Sequence, residues 1–306
     1  MLTFIIKRLG QMLIVLFFVS LIAFSLIRMA PGSPARMVLP DSATPEQVAA
    51  MEVKMGLDQP LYIQFAKYIA GIAKGDLGMS AIYKIPVSRI IGERLPKTLK
   101  LTLWTVILGC SLAIPLGIIA GSNRGKATDF FAMFFALLGQ SMSPVWLAVL
   151  NVFVFSVWLG VLPALGTGGP IFYILPVLTL GYPMAAEITR IGRSGMIDTL
   201  GEDYITATYA KGVSRNLVNW KYAFKNALIP VVTLVGMQIG TYLGGTVVVE
   251  TVFSWSGIGQ LLFQAIGNRD YALVQSLLLI SAIFFTVINL IVDIINSFID
   301  PRIVLK

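Results

Sequence analysis

The chain has 306 residues, of which 57% are hydrophobic and only 12% are charged. Soluble domains carry about 25% charged residues, so this composition excludes an ordinary soluble protein and predicts one embedded in a lipid bilayer. The net charge of +8 comes without a basic recognition motif. We therefore interpret the cations as membrane-flanking topology signals and expect no nucleic-acid partner. With no histidine and a single cysteine, Cys110, a disulfide framework and a His/Cys metal site are excluded.

Long charge-free runs predict six transmembrane helices, because a span needs about 20 apolar residues. Runs at 9–27, 101–123, 226–249 and 271–292 each hold one helix. The longer run at 130–186 holds two, with a hairpin between them where glycine and proline are dense. In the first of these two helices we expect a kink at Pro144. The predicted fold class is an all-α, polytopic membrane protein.

Lysines and arginines in the short loops predict that both termini lie in the cytoplasm. The long segment after the first span is then extracytoplasmic, which its cations do not prevent, since loops longer than about 60 residues translocate largely regardless of charge. We expect three parts: residues 1–29 with the first span, an outer helical segment at 30–97, and a five-helix core at 98–306. A cytoplasmic loop at 190–225 belongs to this core.

The outer segment carries two helix patterns. Thr44-Pro-Glu-Gln47 provides a hydroxyl cap, a proline at the first helical position and the glutamine of a capping box, and Gly56 ends that helix. A second, amphipathic helix is predicted between Pro60 and Gly75. These helices form either a lid or docking platform on the outer surface or a folded spacer.

Catalytic motifs are missing from the sequence. The glycine-rich stretch 121–127 has three residues between its glycines instead of four, and Ala127 stands where a phosphate-binding loop needs Ser or Thr. We therefore predict a protein that is not an enzyme, binds no ATP by this motif and holds no cofactor or metal of its own.

Polar residues inside predicted spans are the default candidates for a translocation path. They are Gln140, Ser141, Ser143, Asn151, Gln238 and Thr241. We expect Glu187 to pair locally with Arg190, one turn further along, and Asp293 to bond between helices. A secondary transporter driven by an ion gradient is the alternative, although no internal repeat and no chain of buried carboxylates supports it.

Glycines spaced four residues apart predict close helix packing. They are Gly117, Gly121, Gly236, Gly240 and Gly244. The three in the fifth span fit a helix that slides or rotates against a partner subunit.

A polar island at 201–212 lies between the fourth and fifth spans. Its acidic start suits the positive end of a short helix, and Gly212 can take the left-handed conformation that ends one. A membrane protein that places such a helix in a loop offers it to a soluble partner.

This island, Asp203-Tyr-Ile-Thr-Ala-Thr-Tyr-Ala-Lys-Gly212, resembles the cytoplasmic loop of permease subunits in binding-protein-dependent ABC importers of the peptide, nickel and opine branch. Thr206 and Tyr209 replace arginines that are usual in the branch. Further segments resemble the branch: Ala30-Pro-Gly-Ser-Pro34, Gly56-Leu-Asp-Gln-Pro60, Gly75-Asp-Leu-Gly78, Glu250-Thr-Val-Phe-Ser-Trp255, Arg269-Asp-Tyr271 and Asp300-Pro-Arg302.

The resemblance implies one permease of a five-part importer in a bacterial or archaeal plasma membrane. Its partners would be a second, homologous permease, two ATPase subunits that bind ATP and Mg, an extracellular binding protein and the lipid bilayer. Peptides are the leading substrate class, with nickel, glutathione and opines as alternatives. The residues implied to couple with the ATPase are Glu202, Asp203, Tyr204, Thr206, Ala207, Thr208, Lys211 and Gly212.

Overall fold

A computed structural model describes residues 2–29, 35–36, 39–40, 42–244 and 246–299. In this part of the chain the secondary structure is helical, with one isolated bridge between Met79 and Pro86 and no strand. The predicted all-α class is confirmed. The resembling segments at 30–34 and 300–302 lie outside the described residues.

The helices are numbered here in chain order. They are α1 (Leu2–Met29), α2 (Pro45–Lys54), α3 (Leu61–Ala73), α4 (Val87–Ser122), α5 (Ala127–Ser141), α6 (Pro144–Asn151), α7 (Ile174–Leu200), α8 (Asp203–Ala210), α9 (Arg215–Leu217), α10 (Phe224–Leu243), α11 (Val247–Val252), α12 (Ile258–Gly267) and α13 (Tyr271–Ile299). A π-helical stretch, Val152–Trp158, continues α6, and a second one, Val218–Ala223, joins α9 to α10.

Five helical stretches are long and apolar enough to cross a membrane, in the regions of α1, α4, α7, α10 and α13. The pair α5 and α6 supplies a sixth span if it is counted as one, although it bends through 101° at its break. This bend is sharper than the kink that the sequence predicts. The hydroxyl of Ser143 accepts the Trp146 N–H at 3.2 Å, and Pro144 begins the new helix. Because α6 has its own cap, it is a new helix rather than a continuation of α5.

Helix α4 begins well before the charge-free run that predicted it. It starts at Val87 and has 36 residues, which corresponds to about 54 Å at 1.5 Å per residue, more than the ~30 Å hydrocarbon core. Its early part includes Arg89 and Glu93, a pair one turn apart at 3.4 Å. Charges end a membrane span without ending a helix, so the predicted boundary at residue 97 falls inside α4.

Helix α7 is the centre of the bundle. In its most apolar window 56% of the residues are buried, compared with 17% in α1 and in α13. It packs along α4, α5 and α10, while α13 packs on α10 and α1 packs on α13. The helix α1 therefore lies at the edge of the described bundle.

Glycine permits the close contacts between α4 and α7. A Cβ on Gly121 would come within 2.5 Å of the Met196 Cβ, and one on Gly117 within 3.3 Å of the Thr189 carbonyl oxygen. Both glycines face backbone or side chains of α7, so the two helix axes can approach closely.

The glycines of α10 face α13 of the same chain. A Cβ on Gly240 would come within 2.6 Å of Phe285, and one on Gly236 would overlap Val292. Gly244 stands at the end of α10. Gly236 and Gly240 therefore serve packing within this chain, and the expectation that the helix moves against a partner subunit stays a prediction.

The outer segment has the two helices that the sequence predicts. Thr44 and Gln47 form the capping box of α2, and Gly56 and Gly75 have φ of +68° and +78° after the two helices. Gln64 of α3 accepts a hydrogen bond at 2.9 Å from the Arg28 guanidinium at the end of α1. This bond attaches the outer segment to the first span.

A second polar motif lies in the loop 247–258, between α10 and α12, which is called the outer loop below because the predicted topology places it outside the cytoplasm. Glu250, Phe253 and Trp255 have exposures of 0%, 2% and 1%. The Glu250 carboxylate accepts hydrogen bonds from the Thr98 hydroxyl at 2.8 Å and from the Gln260 N–H at 2.9 Å. This outer loop is thus fixed to α4 and to the start of α12.

Candidate functional site: an exposed loop helix and an open intramembrane face

Helix α8 forms within the polar island because both of its ends are specified locally. Glu202 is its N-cap and Asp203 lies in its first turn, where negative charge interacts favourably with the helix dipole. Gly212 has a φ of +78°, and its N–H donates to the Tyr209 carbonyl at 2.9 Å. The conformation predicted for Gly212 is confirmed.

Most of α8 is exposed. Only Ile205 is fully buried, with an exposure of 0%. Thr208 is half-buried, and its hydroxyl donates to the Tyr204 carbonyl at 2.7 Å. The other residues proposed for coupling are all exposed: Glu202, Asp203, Tyr204, Thr206, Ala207, Lys211 and Gly212. The helix therefore presents a nearly complete outer surface to solvent or to another protein.

Ile205 anchors α8 on the bundle. Its side chain belongs to a buried cluster with Ile118 of α4, Met196 of α7 and Ala227 of α10, together with Val218 of the adjoining π-helical stretch. A single apolar residue thus connects the exposed helix to three spans.

Hydrogen bonds reinforce this attachment. The Asn226 side chain donates to the Tyr204 hydroxyl at 2.7 Å, which joins α8 to the start of α10. Arg215, just beyond Gly212, donates to the Ser122 carbonyl at 2.9 Å, at the end of α4. Displacement of α8 would therefore act on α4 and α10 together.

An ion pair lies at the same end of the bundle. The Arg193 guanidinium of α7 binds the Asp129 carboxylate of α5 in a bidentate arrangement, with a contact of 2.8 Å to Oδ2. The same oxygen accepts the Gly125 N–H at 2.9 Å, and Asp129 is 5% exposed. This pair is not predictable from the sequence, because the two residues are 64 positions apart and no local spacing signals it.

The candidate path residues fall into separate groups. Gln140, Ser141 and Ser143 lie together at the bend between α5 and α6 and are exposed. Asn151 instead donates to the Thr179 hydroxyl at 2.9 Å and so joins α6 to α7. Within the described residues, no hydrogen bond connects these positions to the candidates on α10.

The second group of candidates lies on α10, and one of its members bonds to a residue of α7 whose partner the sequence did not predict correctly. The Gln238 amide donates to the Glu187 carboxylate of α7, and Thr241 follows one turn later, exposed. The predicted pairing of Glu187 with Arg190 is wrong: in the described part of the chain no ion pair joins them, because Glu187 reaches across to α10. The interhelix bond expected for Asp293 is confirmed, since Arg8 of α1 contacts it at 3.0 Å.

The architecture is that of a polytopic membrane protein with an exposed loop helix. A family model described as the binding-protein-dependent transport system inner membrane component matches residues 113–305, and the model of the N-terminal part of such membrane components matches residues 1–102. The chain therefore belongs to the binding-protein-dependent transport system inner membrane component family.

Curated relatives match over the full length. The chain is 38% identical over 331 residues to the dipeptide transport system permease protein DppB of Alkalihalophilus pseudofirmus, with 99% of each chain covered. It is 41% identical over 303 residues to the glutathione transport system permease protein GsiC of Escherichia coli K12, again with 99% of each covered.

Solved structures share the fold over about 70% of the chain. The match to an inward-facing structure of the MetNI methionine ABC transporter has a TM-score of 0.59 at 19% identity and covers 69% of this chain and 97% of that one. An amino acid ABC transporter matches with a TM-score of 0.51 at 16% identity, covering 70% of this chain and 94% of that one. At these identities the likeness concerns the fold alone.

Proposed function

We propose that this chain is one of two permease subunits in an ATP-driven importer of peptides, and that α8 is the element through which ATPase subunits move it. The observation that carries the coupling proposal is the contrast within α8 between one buried residue, Ile205, and an otherwise exposed surface. A helix that served only its own bundle would bury a whole stripe.

The attachments of α8 supply the mechanical step. A force on its exposed face reaches α4, α7 and α10 through the Ile205 cluster, and reaches α10 again through Tyr204 and Asn226. Closure of the ATPase subunits around ATP would then tilt these spans together. This motion would switch access to a path between the two permeases from one side of the membrane to the other.

The proposed partners are those that membership of the binding-protein-dependent transport family implies. ATP and Mg would be bound by the two ATPase subunits, a second permease would complete the path, and an extracellular binding protein would deliver the substrate. The α8 end of the bundle would face the cytoplasm, with both termini on that side.

Peptides are the proposed substrate class because the two relatives described above are a dipeptide permease and a glutathione permease. Glutathione is itself a small peptide with a free ammonium group, so both names fit one substrate class. The substrate can be identified by measuring the uptake of dipeptides and of glutathione by the reconstituted importer. Each uptake is measured with and without ATP.

The coupling proposal is tested by Ala207→Glu. Ala207 is exposed on α8, so the substitution leaves the fold and the pairing of the permeases intact while placing a charged, larger side chain where the ATPase would dock. We expect substrate-stimulated ATP hydrolysis and peptide uptake to fall at least tenfold, because about 1.4 kcal/mol of lost docking free energy already gives that factor.

A matched control is Phe263→Glu on α12, which is also exposed but lies at the opposite end of the bundle. Uptake in vesicles without ATP by the Ala207→Glu variant would overturn the ATP-driven proposal in favour of an ion-coupled carrier. Wild-type uptake together with normal ATPase copurification would show that coupling occurs elsewhere.

Orientation is tested with single cysteines in a Cys110→Ser background. A cysteine at Gly168, in the exposed loop before α7, should react with a membrane-impermeant thiol reagent added to whole cells, whereas a cysteine at Ser214 beside α8 should not. Both sites are exposed, so a difference in labelling reports sidedness. The reverse pattern would remove α8 from the cytoplasm and contradict its proposed role.

A further inference from the structure

Glu187 is an acidic residue within a membrane-spanning stretch. It lies midway along α7, inside the candidate span Pro170–Leu200. In the sequence it directly follows the charge-free run 130–186, and acidic residues in membrane-spanning helices almost always face the bundle interior or a water-filled cavity. Its position therefore indicates an aqueous or polar environment rather than lipid.

The hydrogen bonding of Glu187 is incomplete. Its Oε2 accepts one hydrogen bond, from Gln238 of α10, although a carboxylate offers about four acceptor positions. Among the described residues, no donor is bonded to its Oε1 and no cation lies within ion-pair distance. The Gln238 amide oxygen is a second acceptor beside it. Glu187 and Gln238 thus have hydrogen-bond acceptor positions that no described cation occupies.

The surroundings of this pair are open. Glu187 and Gln238 are both partly exposed, and their neighbours one turn away, Arg190 on α7 and Thr241 on α10, are exposed. This seam differs from the surface of α5, where four aromatic side chains, Phe130, Phe131, Phe134 and Phe135, are between 48% and 68% exposed. The α5 surface suits lipid, whereas the seam between α7 and α10 suits water and polar ligands.

We propose that Glu187 and Gln238 form a binding subsite for the ammonium group of the transported molecule, on the wall of the path between the two permeases. This rests on the proposed function, since a peptide carries an amino-terminal ammonium group. Carboxylate and amide oxygens both accept hydrogen bonds from an ammonium, and the ionised carboxylate makes them charge-assisted. A lone carboxylate with no second titratable group bonded to it fits cation binding better than a proton relay.

The local charge can be measured without knowing the substrate. A cysteine at Thr241, in a Cys110→Ser background of the complete importer, reports the potential one turn from Gln238. The measured quantity is the ratio of its labelling rates by a cationic and an anionic methanethiosulfonate reagent. Removing a nearby unit charge changes the local concentrations of the two reagents in opposite directions, so Glu187→Gln should lower this ratio several-fold.

Asp293→Asn provides the matched control. It also removes a carboxylate on a spanning helix, but one that is paired with Arg8, and it should leave the ratio within about twofold of the parent. An unchanged ratio in the Glu187→Gln variant, or no labelling of the cysteine at position 241, would overturn the aqueous cation site.

Transport tests the ligand. In proteoliposomes with binding protein and ATP, Glu187→Gln should lower dialanine uptake several-fold while binding-protein-stimulated ATP hydrolysis persists, because the substitution spares α8. Unchanged uptake would overturn the ammonium assignment. If the unmodified importer takes up no peptide, the peptide proposal fails, and the labelling ratio still decides whether the cation subsite exists.

Discussion

Two polar motifs between membrane spans differ in how far their polar side chains are buried. Helix α8 leaves its polar side chains exposed and buries Ile205 alone. The outer loop 247–258 instead buries its polar residue Glu250 completely, together with Phe253 and Trp255. Both motifs resemble the same family, so resemblance alone does not distinguish them.

The difference lies in where each motif finds its hydrogen-bond partners. The Glu250 carboxylate is satisfied within the chain, by Thr98 and by the Gln260 N–H. The carboxylates of Glu202 and Asp203 make no hydrogen bond to described residues and remain at the surface. We infer that the outer loop serves the architecture of this subunit, whereas α8 serves a contact with another one.

The largest effect is expected from enlarging the outer loop at Gly257. A Cβ there would overlap both the Glu250 carboxylate and the Thr98 hydroxyl. Gly257→Ala must displace a buried, hydrogen-bonded carboxylate, which we expect to cost about 3 kcal/mol. A marked fall in Tm and in the yield of monodisperse protein would be measured.

Gly267→Ala serves as the control, at the other end of helix α12, whose N-cap is Gly257. Gly267 is exposed and a Cβ there would meet nothing within 4 Å, so Tm should stay the same or rise slightly. Equal Tm values for the two variants would contradict the assignment of a structural role to the outer loop.

A smaller and local effect is expected at the anchor of α8. Ile205→Ala removes buried apolar volume from the cluster with Ile118 and Met196, a change that costs about 2–5 kcal/mol in protein cores. Because α8 is held by this one apolar residue, the loss should appear as local opening rather than global unfolding. Amide hydrogen exchange at 203–210 should accelerate, with little change in α7.

Tyr209→Ala is the matched control, since Tyr209 lies on the same helix with an exposure of 40%. Its exchange profile should resemble that of the parent protein. Acceleration of equal size in both variants would show that α8 is loosely held throughout, and that Ile205 is not its anchor.

Backbone strain at the end of α8 gives a third, weaker effect. Gly212 has a φ of +78°, and a Cβ there would meet nothing within 4 Å. Gly212→Val therefore destabilises the turn only through backbone strain, which costs about 1–2 kcal/mol. Asparagine tolerates this left-handed conformation. ATP-dependent peptide uptake should fall in the Gly212→Val variant and be largely retained in Gly212→Asn. Equal uptake by the two variants would contradict a role for this turn.

Local patterns account for what the sequence predicted correctly. The capping box at Thr44 and the left-handed turn at Gly212 depend on residues within a few positions of one another, and span lengths depend on hydropathy. The contacts of Glu187, Asp129 and Glu250 join residues 51, 64 and 152 positions apart. No helical spacing encodes such pairs, so the local partner Arg190 was predicted for Glu187 instead.

The bend at Ser143 shows a second limit of prediction from the sequence. The pattern Ser-Pro identifies a helix start as well as it identifies a kink, and the sequence does not specify the angle between α5 and α6. That angle depends on how each helix packs: α5 lies along α7, while α6 contacts both α7 and α11. Packing partners distant in sequence therefore decide between a kink and a break.

The smallest effect concerns the pH dependence of the outer loop. Burial raises the pKa of Glu250 above its usual range, while hydrogen bonds from Gln260, Thr98 and Gly259 oppose the rise. A raised pKa means that the folded state binds the proton more tightly than the unfolded state. The stability gained from protonation is then complete below the unfolded pKa of about 4.3 and is lost as the pH rises through the folded value.

Glu250→Gln removes this titration and serves as the reference at each pH. The difference in Tm between the parent protein and Glu250→Gln should shift in favour of the parent as the pH falls from about 8 towards 5, in the direction given by the linkage relation. At any one pH, the Tm difference also includes a contribution that does not change with pH. It arises because the glutamine side chain of the variant places an NH2 group against the donors Thr98 and Gln260. Only the slope with pH therefore reports the carboxyl group. A slope of opposite sign would mean that the three hydrogen bonds outweigh burial and that the outer loop holds Glu250 ionised.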